Sequence, residues 1–132
     1  YNEFKEELLL GNIDMDGHTF KVMLATGYTP NIDSHNGYAD VSAQEESGTG
    51  YTAGGGTLAG KAVTKDTTND RAKFDADDVT WTGLNVGTPS HAILYDDTHA
   101  SKTLVAYWEV TTATNGGNYT LQFGANGVLL LT

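Results

Sequence analysis

Two groups of aspartates have the spacing that could bind a cation or carry acid–base chemistry. The first is Ile13–Gly17 (IDMDG), where Asp14, Asp16 and Gly17 resemble the opening of a calcium-binding loop. The remainder of that loop, with its bidentate glutamate, is missing from the residues that follow. The alternative is an Asp-rich turn, because aspartate side chains bond nearby backbone amides in turns. We favour the turn.

The second group is Asp75-Ala76-Asp77-Asp78, which places three carboxylates within four residues. Such a group could hold a cation or supply a general acid and a general base. It directly precedes a short alternating segment that predicts a strand with Val79 and Trp81 facing inward. The simpler interpretation is a solvated turn before that strand.

The chain has four histidines: His18, His35, His91 and His99. No two of them have the spacing of metal ligands on one predicted helix or strand. Ser34 and Ser90 each precede a histidine, but a catalytic triad is recognised by spatial geometry and not by adjacency. The glycines Gly54–Gly56 lack the Lys and Ser/Thr of a phosphate-binding loop. We therefore predict no catalytic residue, no metal site, no cofactor and no enzyme activity.

The amino-acid composition argues against several further classes of function. The 132 residues suit a single domain, with seven basic and seventeen acidic side chains and a net charge of −10. We expect no nucleic-acid partner, because a phosphate backbone requires clustered lysines and arginines. The absence of cysteine excludes disulfides, thiol catalysis and zinc–thiolate sites. Apolar runs such as Val128–Leu131 are far too short to span a membrane, so we expect no membrane partner.

Alternating apolar residues predict a mainly β fold. Thr19–Thr26 (TFKVMLAT) places Phe20, Val22 and Leu24 on one face of a strand. Thr103–Thr112 (TLVAYWEVTT) is rich in β-branched and aromatic residues, which favour strands. One face of this second strand is predicted to carry four apolar side chains: Leu104, Ala106, Trp108 and Val110.

Five further segments read as strands: Thr57–Lys65, Arg71–Asp75, His91–Tyr95, Tyr119–Phe123 and Val128–Leu131. The turn composition of Asp66–Asp70 predicts a hairpin between the first two. Turns rich in glycine and asparagine at Asn115–Asn118 and Ala125–Gly127 predict hairpins nearer the C terminus. The contiguous apolar run Val128–Leu131 predicts burial on both faces, in the core or in a subunit interface. Many short strands with such turns indicate a jelly-roll-like β-sandwich or a barrel.

Residues 1–11 are predicted to form a helix or arm. Asn2–Leu10 has a candidate N-cap in Asn2, and Gly11 can adopt the left-handed conformation that ends a helix. Phe4 and Leu8 share one face, with Leu9 beside them. The pattern is typical of a packing helix.

The connection Tyr28–Leu58 is long for a compact domain, and loops of this length are usually functional or disordered. Its regularly placed tyrosines argue against disorder, because disordered segments are poor in aromatic residues. Two interpretations stay open. The segment is either a surface loop with one or two short strands inside it, or a loop that a partner chain orders.

Two segments of this connection, Tyr28–His35 (YTPNIDSH) and Gly48–Gly55 (GTGYTAGG), resemble a group of tailed-phage virion proteins. Those chains share further features with this one: a short opening helix like Phe4–Gly11, a turn like Ile13–Asp16, a segment like Asp75–Trp81 and a final run like Phe123–Leu131. The resemblance spans nearly the whole chain. Within that class, the chain is most similar to the capsid decoration, or cement, proteins of marine-type phages, which resemble jelly-roll trimers.

The resemblance implies a structural protein of the virion, on the outer surface of the phage head and in the host cytoplasm during assembly. The implied partners are the major capsid protein and further copies of the chain, as a trimer. Function would come from binding energy, by bridging capsid subunits against the outward pressure of packaged DNA. We expect the contacts in the N-terminal segment and the long connection, since aromatic residues are enriched at interfaces. The candidate partner-binding residues are Phe4, Tyr28, Pro30, Tyr38 and Tyr51.

Two alternatives stay open. The first is a neck or tail structural protein of the same kind of particle, present in far fewer copies. The second is a carbohydrate-binding β-sandwich that uses Trp81, Trp108 or tyrosines as platforms for sugar rings. Both tryptophans lie on alternating strand segments, which makes core packing the simpler role for them.

Overall fold

Antiparallel strand pairing organises the chain. The computed structural model describes residues 1–132 and contains one α-helix, two short 3-10 helices and nine strands. Helix α1 is Asn2–Leu9, and the strands are β1 (Phe20–Ala25), β2 (Gly56–Thr57), β3 (Ala62–Asp66), β4 (Arg71–Asp75), β5 (Val79–Trp81), β6 (His91–Asp96), β7 (Leu104–Glu109), β8 (Tyr119–Leu121) and β9 (Leu129–Leu131). The predicted mainly β fold with a short N-terminal helix is confirmed.

The strands form three open sheets. The central sheet has the order β2-β1-β6-β7, a second sheet has the order β3-β4-β9, and β5 pairs with β8. All of these pairs are antiparallel. No sheet closes on itself, so the alternative prediction of a barrel is wrong.

The central sheet is buried on both faces. On one face, Phe20, Val22 and Leu24 belong to a larger core cluster of 14 buried residues, as their alternation predicts. On the other face, Met23 and Ala25 belong to a smaller core cluster of 8 buried residues. Such a sheet needs a covering layer on each side, because apolar surface is stable only when it is removed from water.

A β-bulge changes which face the residues of β7 occupy. Tyr95 pairs with Leu104 but its neighbour Leu94 pairs with Ala106, so Val105 is an extra residue on β7. Leu104 therefore packs in the smaller cluster, whereas Val105 and Ala106 pack with the larger one. The prediction that Leu104 shares a face with Ala106 is wrong for this reason.

Three further predictions are wrong, one for the extent of a strand and two for hairpins. The segment Thr57–Lys65 is not one strand, because the chain turns at Gly60, whose φ is +61°, between β2 and β3. The turns Asn115–Asn118 and Ala125–Gly127 do not close hairpins, because β8 pairs with β5 and β9 pairs with β4. Glycine and asparagine permit the chain to reverse, but the partner strand is decided by side-chain packing. The predicted hairpin around Asp66–Asp70 is confirmed, since β3 pairs with β4.

Helix α1 is terminated by the predicted glycine, but its N-cap residue is not the predicted one. Gly11 has a φ of +76°, its amide bonds the carbonyl of Leu8, and the next amide bonds the carbonyl of Glu7. This is a Schellman motif, in which a left-handed glycine satisfies the last carbonyls of the helix. The N-cap is Tyr1 and makes no side-chain cap, so the prediction for Asn2 is wrong. No helix has the length and apolar character needed to cross a bilayer.

The apolar ends of the chain are more exposed than predicted. Phe4 is buried, but Leu9 is 89% exposed. In β9, Leu130 and Leu131 are 37% and 68% exposed, so the run Val128–Leu131 is not buried on both faces within one chain. Burial of this run in a subunit interface stays a prediction.

We expect Gly55→Ala to lower the free energy of unfolding far more than Gly11→Ala. The two glycines have nearly equal φ values, +77° and +76°, so both alanines should cost about 1–2 kcal/mol through left-handed strain. Only at Gly55 would the new Cβ collide with the Val22 carbonyl oxygen of β1, adding about 1–3 kcal/mol. Urea unfolding of both variants measures the difference, and equal losses would contradict the packing of residue 55 on β1.

Candidate functional site

The long loop (residues 28–58) folds onto the central sheet instead of extending from it. Its backbone is fixed to the edge of β1, where the Glu46 amide bonds the Leu24 carbonyl at 2.8 Å and the Thr26 amide bonds the Gln44 carbonyl at 2.9 Å. It contains the two 3-10 helices, Tyr38–Asp40 and Ser42–Gln44, and ends in β2. The loop contains one short strand, β2, as predicted, but it is not simply a surface loop, because Tyr28 and Val41 are buried. Ordering by a partner stays a prediction.

The long loop is the cover for the second face of the central sheet. Tyr28 and Val41 are buried in the smaller cluster with residues of β1, β6 and β7, and Tyr38 packs against that cluster. The Tyr38 and Tyr95 rings lie 5.0 Å apart between centroids. A segment that reads as a connection in the sequence therefore supplies part of the core.

One carboxylate holds the middle of the long loop together. Glu45 Oε1 accepts hydrogen bonds from the Tyr51 hydroxyl at 2.9 Å and from the Gly54 amide at 2.7 Å. Glu45 Oε2 accepts a hydrogen bond from the Tyr38 hydroxyl. We call Glu45, Tyr38, Tyr51 and Gly54 the Glu45 cage. Hydrogen bonds to a charged acceptor are stronger than neutral ones, so this cage fixes three separate points of the loop.

Two further hydrogen bonds join the Glu45 cage to the sheet. The Tyr51 hydroxyl oxygen accepts the Leu24 amide at 3.0 Å, and the Tyr95 hydroxyl donates to the Gly54 carbonyl at 2.7 Å. Desolvation and the neighbouring Glu45 raise the pKa of Tyr38 to about 12. Desolvation also raises the pKa of Tyr51 and Tyr95. These hydroxyls therefore stay protonated and remain donors at neutral pH.

The predicted partner-binding residues fall into two groups. Phe4 and Tyr28 are buried inside the chain, and the Tyr28 hydroxyl bonds the Tyr1 hydroxyl at 2.6 Å and His35 Nδ1 at 3.1 Å. Pro30, Tyr38 and Tyr51 are half-buried. Contact of any of the five with a partner stays a prediction, and Tyr28 and Tyr51 already have structural roles within the fold.

The N-terminal helix and the long loop share one surface. The Asn2 amide bonds the Ile32 carbonyl at 3.0 Å, and the Asn2 side chain donates to Asp33 Oδ1 at 2.5 Å. Ile32 is 43% exposed, and Pro30 beside it is half-buried. We call Asn2, Pro30 and Ile32 the helix–loop surface.

The first aspartate group forms the predicted turn, whereas in the second group Asp75 is the last residue of β4 and Asp77 and Asp78 lie in the short link to β5, which is not a turn. Asp14 Oδ1 accepts the amides of Asp16 and Gly17 at 3.1 and 2.9 Å, and these bonds hold the pKa of Asp14 below its usual range. In the second group, Asp75 bonds Lys73 and Asp78 accepts the Phe123 amide. No three His, Asp or Glu side chains are grouped so that they could hold a metal ion.

Sequence reasoning missed a buried histidine–carboxylate pair. His18 Nδ1 lies 2.6 Å from Asp96 Oδ2, across 78 residues of sequence. Asp96 is fully buried, and its other oxygen accepts the amides of Thr98 and His99. No serine hydroxyl bonds His18, and the Ser90 hydroxyl bonds the Ala25 carbonyl and His91 Nδ1. The pair joins the segment before β1 to the end of β6 and lacks the third member of a hydrolytic triad.

Sequence reasoning also did not identify Glu46. Its carboxylate differs from that of Glu45, which accepts three hydrogen bonds. Glu46 is 8% exposed, and its Oε1 has no hydrogen-bond partner. Desolvation therefore raises its pKa. The only sequence signal for either residue is a pair of adjacent glutamates in a loop rich in tyrosine and glycine, and such a pair also occurs in solvated turns.

Comparison with known proteins assigns no family. No protein-family model, curated protein or solved structure matches the chain. A proposal of function therefore depends on the residues, the fold and the sequence resemblance.

We expect Glu45→Ala to lower the free energy of unfolding by about 2–4 kcal/mol, because it leaves three donors without their charged acceptor. The control is Glu109→Ala on the exposed surface of β7, which should stay within about 0.5 kcal/mol of wild type. Chemical denaturation measures both variants. Equal effects would contradict the structural role of the Glu45 cage.

We expect Glu46→Gln to stabilise the chain at neutral pH and to lose that advantage in acid. Because the folded chain raises the pKa of Glu46, the stability that this residue contributes is present below its unfolded pKa of about 4.3 and is lost as pH rises through its folded pKa. The aspartates with lowered pKa act in the opposite direction, but they are common to both proteins and cancel in the difference. Thermal unfolding at several pH values measures that difference, and an advantage that grows toward acid would be the contrary result.

Proposed function

We propose that the chain is a non-enzymatic structural protein of a phage virion, a decoration protein that binds the outer surface of the major capsid protein and stabilises the head. The observation that carries the proposal is the resemblance of Tyr28–His35 and Gly48–Gly55 to tailed-phage virion proteins. Both segments belong to the long loop, which is folded onto the central sheet by its own hydrogen bonds. The proposal includes self-association as a trimer.

The proposal also includes a jelly-roll-like sandwich. Supporting it, the larger core cluster contains Phe20 of the central sheet, Phe74 of the second sheet and Trp81 of the third. Residues from three sheets thus share one core, which is the packing that a sandwich of open sheets requires.

Binding would depend on a loop that is already in place. A segment that must be ordered on binding loses affinity to the entropy of ordering it. The Glu45 cage removes that cost for the middle of the long loop, and the bonds of Asn2 to Ile32 and Asp33 remove it for the helix–loop surface. The net charge of −10 suits a basic partner surface and keeps free copies soluble before assembly.

A neck or tail position in the same kind of particle is the second candidate, and the same resemblance supports it. The carbohydrate-binding alternative has less support. Trp81 is only 6% exposed and presents no open face to a sugar, and the ring of half-buried Trp108 is partly covered by Phe123, with 5.7 Å between the ring centroids.

We expect purified particles of the encoding phage to contain this chain at close to one copy per major capsid subunit. Quantitative mass spectrometry against the major capsid protein measures the ratio. A few copies per hundred capsid subunits would move the protein to the neck or tail, and absence from particles would remove the virion proposal.

A further inference from the structure

An apolar groove runs between α1 and the sheet β3-β4-β9. Its volume is about 270 Å³, and nine of its ten lining residues are hydrophobic. One wall is formed by Phe4 and Leu8 of α1, and the other includes Phe74 of β4 and Leu129 of β9. The groove contains none of the exposed residues of the helix–loop surface.

Strand register explains why this face is apolar. Val63, Phe74 and Leu129 are cross-strand partners, and Ala72 is the partner of Leu131, so all five lie on the same face of the sheet. Helix α1 covers only part of that face, which leaves Val63 51% exposed and Leu131 68% exposed. Strand β9 is also a sheet edge without charge or proline, the features that usually prevent an edge from pairing.

The chain also carries an apolar protrusion that matches such a groove. Leu9 and Leu10 follow the groove residue Leu8 and are 89% and 64% exposed, the first being the most exposed large hydrophobic side chain of the protein. The turn at Gly11 ends the helix directly after them, so they project from its last turn.

The distribution of charge on the chain favours a second copy as the occupant of the groove. A net charge of −10 makes copies of the chain repel each other over most of their surface. Four of the seven basic residues, however, lie between positions 61 and 73: Lys61, Lys65, Arg71 and Lys73. Helix α1 has the opposite character, with three glutamates and one lysine. Only two aspartates, Asp66 and Asp70, lie in the same segment, so it keeps an excess of positive charge that is complementary to the acidic helix of a second copy.

Two of these charges are unpaired within one chain. Lys65 is the cross-strand partner of Ala72, which places it on the face that lines the groove. Lys65 and Glu6 are both exposed, and neither belongs to any of the six ion pairs of the chain. Each is therefore free to meet an opposite charge from outside.

We propose that the groove of one copy receives Leu9 and Leu10 of a second copy, with Glu6 of that copy facing Lys65. The contact joins two different patches of the same chain, so it closes either reciprocally in a dimer or head-to-tail in a ring. It rests on the self-association included in the proposed function but not on the virion assignment, which copy number in particles tests separately.

The test is the association of the purified chain, measured by sedimentation velocity over a range of concentrations. Leu9→Asp should raise the dissociation constant at least about tenfold, since it places an unpaired charge in an apolar groove. It should leave unfolding unchanged, because Leu9 is 89% exposed in the single chain. The matched control is Ile32→Asp, at an exposed apolar residue outside the groove, which should associate like wild type.

A charge exchange tests the direction of docking. Lys65→Glu should weaken association by placing two glutamates opposite each other, and adding Glu6→Lys to it should restore association. A wild-type chain that stays monomeric would overturn the proposal and leave a different protein as the occupant. Unchanged association of Leu9→Asp, equal weakening by Ile32→Asp, or no restoration in the exchanged pair would also overturn it.

Discussion

The carboxylate of Glu45 holds three points of the long loop together, and hydrogen bonds of Tyr51, Gly54 and Glu46 join that loop to the sheet on which the fold is built. Strands β1 and β6 carry apolar residues on both faces, so the central sheet is stable only if something covers the face that the other sheets leave open. The long loop covers it, and the Glu45 cage fixes the loop through Tyr38, Tyr51 and Gly54. The smaller core cluster therefore depends on a polar interaction at its edge.

Because the long loop is part of the fold, its residues divide into those that stabilise the core and those that stay exposed. The loop is held internally, so its tyrosines are largely used by the fold, and the helix–loop surface is the exposed part that we propose for a partner. The groove between α1 and the β3-β4-β9 sheet is separate from that surface and is apolar because strand register aligns its residues. The chain thus has two separate surfaces: the helix–loop surface, held by the bonds of Asn2 to Ile32 and Asp33, which we propose for a different protein, and the apolar groove, which we propose for a second copy.

Alternation predicted β1, because Phe20, Val22 and Leu24 pack on one face at a period of two, and turn composition at Asp66–Asp70 predicted the hairpin of β3 and β4. Alternation failed at Leu104, since a bulge at Val105 shifts the period without any sequence sign. It also failed to predict which strands pair, because turn residues permit a reversal without selecting its partner. Glu45 and the His18–Asp96 pair could not be predicted, since each acts through contacts between residues that are brought together only by the fold.

Hydrogen exchange of the free chain tests most directly whether the long loop is part of the fold before any partner binds. The account predicts that the amides of Glu46 and Gly54, bonded to the Leu24 carbonyl and the Glu45 carboxylate, exchange as slowly as amides of the central strands. Exchange of residues 28–58 at the rate of an unstructured peptide, with the strands still protected, would contradict it. In that case the loop would be ordered only by a partner, and Glu45 would not hold the fold together.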